Sequence, residues 1–502
     1  MHRTHRSAGS VLALLIVLWF ASGAVMTFSG YPRFTETERL ALAPALPRAA
    51  SIELPAALQR HLASAKPDGS RVRLAMHEGE PTWLYNGVEG ARVALRAEPE
   101  ASFSPLDEAR VRYEASERFG LPVRAVQRLD ESDQWTVAIA KPGNMPLYRV
   151  YFGDASSTEA YLSARSGETV QATTRTERVL AWLGAIPHWI YPTILRRERE
   201  LWRYTVFALS AAGLLITVSG TVAGIHVWRA TRKRKGPRDP YLRWHQWLGL
   251  WFGLFASTWL FSGAMSLTPF QWTGGRGPSE HEQAALYQHA TVPSAAAVQR
   301  ALALCQRDLT VRELELSPLG GRLYAVCADA ENQTRVVDLT DAVAVSRALL
   351  PSTAIATLAA RLAGPDRERT TELASAYDSY YYPTHSSPDA ALPYFRVSLQ
   401  DDEASTYYID PARARLLRKY THLTRLERWL YQGLHSFDIP GLYQHRVLWR
   451  TLVIGAMALG VGLSGLGFWM TVRRWRRASA RKRKGAPNVR TLAPRAERQP
   501  LP

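Results

Sequence analysis

Cysteine is nearly absent: the chain has two, Cys305 and Cys327, in 502 residues. That excludes a disulfide-stapled miniature fold and an iron–sulfur cluster held by four thiolates. No His-Glu-x-x-His and no Gly-x-Ser-x-Gly occurs, so hydrolysis by either a zincin helix or a nucleophile elbow has no support. Charge is missing locally. Ser7 to Pro32, Tyr204 to Trp228, Trp244 to Gly275 and Thr451 to Val472 contain no Asp, Glu, Lys or Arg. Each meets the length of roughly 20 residues that a membrane-crossing helix needs. Their lack of charged side chains also disfavours transport, which needs an intramembrane group to couple to an ion or proton.

What charge there is lies unevenly. Lys and Arg number 62 against 44 Asp and Glu, a net of +18. Residues 1–6 hold Arg3 and Arg6, the link 229–243 holds seven basic residues and one acid, and the tail from 471 holds eleven basic residues and one acid. These three short segments account for the whole excess, so the basic character needs no nucleic-acid partner. By the positive-inside rule all three are cytoplasmic. The expected order is a cytoplasmic N-terminus (1–6), a first span (7–30), an external domain (31–203), a second span (204–228), a basic cytoplasmic loop (229–243), a third span (244–270), a second external domain (271–450), a fourth span (451–472) and a basic tail (473–502).

The chain also repeats itself. His5, Gly9 and Ser22-Gly23-Ala24 recur as His245, Gly249 and Ser262-Gly263-Ala264, each 240 residues on. A cleavable signal peptide, the competing reading of the first span, has no reason to match an internal helix. Pro146, Arg149, Val150, Tyr161, His188, Trp202 and Arg203 recur 247 residues on as Pro393, Arg396, Val397, Tyr408, His435, Trp449 and Arg450. Two tandem units of equal orientation imply a pseudo-two-fold axis along the membrane normal. The expected fold class is an integral membrane α-helical protein: a four-helix transmembrane bundle from a tandem duplication, with two α+β external domains. Gly220-x-x-x-Gly224, Gly249-x-x-x-Gly253 and the glycines from Gly455 to Gly467 permit close helix contact.

Within the external domains, residues 105–119 have a helical period. Trp135 to Ala140, Leu147 to Phe152, Glu159 to Leu162, Phe395 to Leu399 and Thr406 to Ile409 read as strands, and Asp410-Pro411 marks a turn. Segment 280–375, rich in Ala and Leu, reads as further helix.

Of the thirteen histidines, several stand at span edges in repeat-equivalent pairs. His5 and His245 open the first and third spans, and His188 and His435 precede the second and fourth. Two neutral imidazoles opposed across a bundle are what a six-coordinate haem iron needs at its axial positions. The duplication thus predicts two haems, with His226 and His445 as spare ligands. The competing reading makes these histidines interfacial anchors, like the many Trp and Tyr.

The run His-Gln-Trp-Leu-Gly-Leu (245–250), the cluster Tyr377-Asp378-Ser-Tyr380-Tyr381-Tyr382, Tyr408-Ile-Asp410-Pro411 and Arg428-Trp429-Leu430-Tyr431-x-Gly433-Leu434-His435 resemble the PepSY-associated transmembrane helix family. The likeness runs from His5 to about Arg477. It implies a bacterial inner-membrane protein with PepSY-like periplasmic domains, of the iron-regulated kind, some members of which are haem-containing ferric-siderophore reductases. Two b-type haems would then carry electrons across the bilayer to a ferric chelate. Tyr377, Tyr380, Tyr381, Tyr382 and His385 are suited to line the chelate site. The first unit departs from the pattern, with Ile186-Pro187-His188-Trp189 where the second has Gly433-Leu434-His435-Ser436. The cytoplasmic parts carry no Gly-x-Gly-x-x-Gly after a strand, so no flavin or NADPH domain is expected, and the donor is a membrane quinol or a separate reductase. The alternative is a non-enzymatic, membrane-anchored PepSY module that binds a periplasmic peptide, protease or envelope protein.

Overall fold

The computed structural model describes residues 2–484 apart from 49–51, 65–70, 87–91, 98–103, 140–143, 232–238, 274–276, 290–291, 366 and 385–389. Among the described residues four helices are long and apolar enough to cross a membrane: His2–Met26, Arg199–Thr231, Pro240–Met265 and Arg446–Lys484. Most run past the uncharged stretches into flanking charged sequence, because backbone hydrogen bonding continues where apolar composition stops. The third instead stops at Met265, short of the expected 270, where Thr268, Phe270 and Gln271 adopt positive φ.

The chain forms two compact units. Unit 1 comprises Met1–Ala21, Ala212–Ser257 and Gly455–Pro502, and in it segments of all four long helices pack on one another through small residues. A Cβ at Gly460 would fall within 2.5 Å of the Phe20 ring, and one at Gly253 within 2.5 Å of Thr221 Oγ1. Ser257 Oγ donates to Thr217 Oγ1 (3.0 Å), so the hydroxyls between these helices satisfy one another.

Unit 2 comprises Ser22–Ala211 and Thr258–Ile454 and holds the β structure. Its first strands are β1 (Val72–His77), β2 (Glu80–Asn86) and β3 (Arg92–Arg96). Next come β4 (Val123–Leu129), β5 (Leu147–Phe152), β6 (Glu159–Ser163) and β7 (Thr169–Thr173). In the second half follow β8 (Glu313–Leu319), β9 (Arg322–Ala328), β10 (Thr334–Asp338) and β11 (Ser346–Arg347). Last come β12 (Arg369–Ala374), β13 (Tyr394–Leu399), β14 (Thr406–Asp410) and β15 (Arg415–Tyr420). Two sheets are four-stranded meanders, β4-β5-β6-β7 and β12-β13-β14-β15. Each is covered by one helix. Val111 and Ala115 of Glu108–Phe119 pack on Tyr148, Val150 and Leu162, and Ile355 and Leu358 of Ser352–Ala363 pack on Phe395 and Val397. Asp107 starts the first covering helix by accepting from Arg110 N (2.9 Å).

The third sheet corrects the expectation of two separate external domains. It has seven strands in the order β11-β10-β9-β8-β1-β2-β3, and β1 pairs antiparallel with β8, Leu74 opposite Leu314. Segments 31–203 and 271–450 therefore share one sheet and one apolar core, built around Trp83, Leu74, Leu314 and Val337. Beside this seam Arg73 pairs with Glu313 (3.0 Å) and Glu168, and Arg71 pairs with Glu36 (2.8 Å) and Glu315. Segment 280–375 holds the expected helices, Glu280–Tyr287, Ala295–Cys305 and Ser352–Ala363, together with β8–β12, which were not anticipated. Trp135–Ile139, read as a strand, is a run of turns, because Asp133 Oδ1 accepts from the N–H groups of Trp135 (3.0 Å) and Thr136 (3.1 Å). Asp410 makes the expected turn in the same way, accepting from Ala412 N and Arg413 N.

Candidate functional site

The histidines matched by sequence shift also meet in space. In unit 1 the rings of His5 and His245 lie side by side, tilted at 42°, with centroids 6.1 Å apart. In unit 2 the rings of His188 and His435 meet edge-on, with centroids 5.9 Å apart and an interplanar angle of 63°. All four are partly exposed rather than sealed in a core. The remaining candidates separate from them: His226 and His445 are exposed on their own elements, and His385 lies outside the described residues.

In the unit 1 pair each ring is fixed through Nδ1. His5 Nδ1 donates to the Ile216 carbonyl (2.9 Å) and His245 Nδ1 to the Leu463 carbonyl (3.0 Å). A carbonyl only accepts, so each Nδ1 carries a proton, and in the neutral ring the lone pair is then on Nε2. Glycine makes room for both rings. A Cβ at Gly220 would fall 2.4 Å from His5 Cε1, and one at Gly467 would fall 3.3 Å from His245 Cε1. Ile216 and Leu463, like Gly220 and Gly467, are 247 residues apart.

The unit 2 pair is held by hydroxyls. Ser22 Oγ lies 3.2 Å from His188 Nδ1, and Ser262 Oγ lies 3.1 Å from His435 Nδ1. Ser262 donates its own proton to the Trp259 carbonyl (2.9 Å), so it accepts from His435 Nδ1, which also reaches that carbonyl (3.2 Å). Desolvation, together with the neighbouring His188 ring, holds the His435 imidazole down at about 4, neutral at pH 7. Gly263 again leaves the space, since a Cβ there would fall 3.3 Å from His435 Cε1.

The local folding that delivers these two histidines is alike. Thr174 caps the helix Arg175–Leu183 and Thr421 caps His422–Arg428, each with a capping box, and each histidine follows its cap by fourteen residues. The intervening turns differ. The first path breaks at Gly184 (φ −112°, ψ −91°), whereas the second passes through a π-helical turn, Trp429–Gly433. Both paths end two residues past the histidine in a left-handed residue, Ile190 (φ 48°) and Phe437 (φ 49°). The next long helix then pins each end. Trp202 Nε1 donates to the Trp189 carbonyl (2.9 Å), and Trp449 Nε1 to the Ser436 carbonyl (2.8 Å). The Trp202 and Trp449 match is visible in the sequence. The carbonyls of Ile216 and Leu463 leave no side-chain signature and escape sequence reasoning.

The tyrosine cluster is not the open wall expected of it. Tyr381 and Tyr382 are buried, at 3% and 4% exposure. Tyr381 Oη donates to the Ala391 carbonyl (3.0 Å) and Tyr382 Oη to Asp438 (2.6 Å). Tyr381, Tyr394, Tyr408 and Tyr420 form a ring-stacked core, and Tyr408 Oη donates to Asp378 (2.8 Å). Tyr380 is half-buried against it and Tyr377 remains exposed. The aromatic spacing that suggested a ligand wall reflects packing of β12–β15. One further cluster, Glu36, Glu313 and Glu315, has the proximity of a cation site but is neutralised by Arg39, Arg71, Arg73 and Arg415.

No curated protein and no solved structure matches the chain. The family model described as the PepSY-associated TM region matches residues 2–345, more than half of the length. This membrane protein therefore belongs to the PepSY-associated TM family.

Proposed function

We propose that the chain is an inner-membrane, di-haem b-type electron conduit that reduces ferric siderophores or other ferric chelates on the periplasmic side. In this reading tandem duplication builds a four-helix transmembrane bundle with PepSY-like periplasmic domains and both termini in the cytoplasm. The observation that carries it is the two neighbouring imidazole couples, His5 with His245 and His188 with His435. The residues suit the group. Each couple offers two imidazole nitrogens, a donor set that haem iron would accept. Glycines stand where a Cβ would meet the rings of His5, His245 and His435.

His5 and His245 would hold one haem and His188 and His435 the other. When bound, haem supplies a one-electron Fe(III)/Fe(II) couple. The protein's own contribution is orientation. The Ile216 and Leu463 carbonyls, and Ser262 with the Trp259 carbonyl, fix the Nδ1–H tautomer and aim Nε2 away from the backbone. Trp259 Nε1 also donates to the His435 carbonyl (2.7 Å), locking the main chain that carries that ring. Electrons would come from a membrane quinol or a separate cytoplasmic reductase.

One observation favours the second reading, a membrane-anchored module that binds a peptide or envelope protein. Strand β12 forms a sheet edge and is exposed along nearly its whole length, as a strand-adding partner requires. The deciding experiment is a reduced-minus-oxidised visible spectrum of detergent-purified protein with a pyridine haemochrome count, for wild type, His245→Ala and His435→Ala. Two b-type haems per chain, with a partial loss in each variant, support the conduit. Haem-free protein from haem-replete cells overturns it in favour of the binding module.

A further inference from the structure

Two short helices of unit 2 are inside out for helices that face water. In Arg175–Leu183 the apolar residues Val179, Trp182 and Leu183 recur at helical spacing and are 49–59% exposed. Glu177 and Arg178 turn to the protein instead. Glu177 accepts from the Thr174 N–H (2.7 Å), and Arg178 donates to the carbonyls of Thr173 (2.9 Å) and Ser157 (2.8 Å). The repeat carries the same inversion 247 residues on, with Leu426 for Val179 and Trp429 for Trp182. Along His422–Arg428 and the π-helical turn after it, Leu426 and Trp429 are exposed, whereas Glu427 and Arg428 are buried at 4%, Arg428 donating to the Asp438 carbonyl (2.7 Å). A helix on the surface of a water-soluble domain has the opposite pattern, polar outside and apolar inside.

Both apolar faces adjoin the ends of membrane-crossing helices. Arg175–Leu183 ends on Gly184, where a Cβ would fall 3.1 Å from Val25 Cγ1 and 3.4 Å from Met26 Cγ, in the last turn of His2–Met26. The second path runs through its π-helical turn to His435, whose carbonyl accepts from Trp259 Nε1 (2.7 Å), in the last two turns of Pro240–Met265. An apolar surface continuous with membrane-crossing helices is continuous with the bilayer that covers them. We infer that Arg175–Leu183 and the segment from His422 to Gly433 lie in the bilayer interface, at the level of Met26 and Met265, with Val179, Trp182, Leu183, Leu426 and Trp429 seated against lipid. Amphipathic helices hold this boundary by burying one apolar face beneath the headgroups, and tryptophan is enriched there because its ring is apolar and its N–H is polar. His188 lies five residues after Leu183, and His435 six after Trp429. Lipid contact along these helices therefore sets the depth of that histidine couple. The inference holds with or without haem and for either orientation of the chain.

The test uses full-length protein in lipid nanodiscs, with a nitroxide attached at Val179→Cys, Leu183→Cys or Leu426→Cys. Val343→Cys, an exposed apolar position between β10 and β11, is the control. Cys305 and Cys327 are fully buried, and unsubstituted protein gives the labelling background. Collision with oxygen, which concentrates in lipid, is compared with collision with a water-soluble nickel chelate by power saturation. The three helix positions should favour oxygen several-fold, and Val343 should favour nickel. A nickel preference matching that of Val343 overturns the inference. Exclusion of both probes also overturns it, because a protein surface such as a second copy of the chain would then cover the face. Unsubstituted protein supplies a second readout that needs no variant. Hydroxyl radicals generated in water should leave Trp182 and Trp429 nearly unmodified in nanodiscs, and ready oxidation of both would count against lipid contact.

Discussion

Gly220→Ala tests whether the space beside His5 is a requirement of the site. The new Cβ would stand 2.4 Å from His5 Cε1 and 2.7 Å from Nδ1. Non-bonded carbon atoms settle at about 3.5–4.0 Å, so the ring must retreat by about 1 Å. That retreat pulls Nδ1 from the Ile216 carbonyl, now at 2.9 Å, at a cost of about 1 kcal/mol for the hydrogen bond and about 1–3 kcal/mol for the overpacking. Loss of an orienting partner typically weakens metal binding about 10- to 100-fold. Gly467→Ala is the matched control. Its Cβ meets His245 Cε1 at 3.3 Å, a clash that a few tenths of an ångström relieve. Both substitutions gain the same helix propensity, about 1 kcal/mol, so the difference between them isolates the clash. Haemochrome counts and reduced-minus-oxidised spectra of the purified variants should show Gly220→Ala losing the haem at His5 and His245 while keeping the other. Gly467→Ala should hold both. Equal haem content in the two variants would refute the argument, and so would wild-type content and melting temperature in Gly220→Ala.

Other outcomes follow from unit 2. Arg73→Met removes the arginine paired with nearly buried Glu168 and one of the two paired with Glu313, which keeps Arg39, and should destabilise unit 2 by about 3 kcal/mol, read as a lowered thermal midpoint in detergent. His77 is buried with no hydrogen-bond partner at Nδ1 among the described residues, and burial, helped by Arg118, holds it down at about 3. Its folded value lies below its unfolded one, so stability should fall with pH from about 6.5 towards 3, by about 1.4 kcal/mol per pH unit at most. His77→Leu should flatten that part of the pH profile of the midpoint, and an unchanged slope would count against the assignment. Glu36 behaves oppositely in mechanism but alike in sign. Burial opposes its ionisation, yet Arg71 and Arg415 hold the carboxyl well below the usual range, so its contribution is present above about pH 4.5 and lost in stronger acid. Glu36→Gln should therefore cost stability fully at pH 7, less at pH 3, and progressively less in still stronger acid. Trp449→Phe removes the bond to the Ser436 carbonyl and should cost about 1 kcal/mol while loosening haem held by His435 more than haem held by His245.

Much of the fold was legible because it rests on local composition. Four uncharged stretches sufficed for four apolar helices, since a bilayer core tolerates little else. The helix at 105–119 and strands β5, β6, β13 and β14 were readable from helical period and apolar alternation, whereas β4, β7, β12 and β15 were not. The turn run at Trp135 was misread as strand because Asp133 captures two backbone N–H groups, a side-chain effect that apolar periodicity does not report. The tyrosine cluster was misread for the same kind of reason, as residue type alone does not say whether a phenol faces solvent or the Ala391 carbonyl.

The sequence by itself determined the family, the four apolar helices, and the pairing of His5 with His245 and of His188 with His435, because the repeat carries equivalent residues at fixed shifts. The tertiary structure alone decided three things. It joined β1 to β8, so that the two halves share a core, a pairing across 240 residues that no local pattern encodes. It left His226 and His445 apart from the paired rings, because a helix fixes which side chains can meet only once its neighbours are packed. And it supplied the Ile216 and Leu463 carbonyls that set the histidine tautomers, since main-chain atoms are the same at every residue and acquire a role only through position.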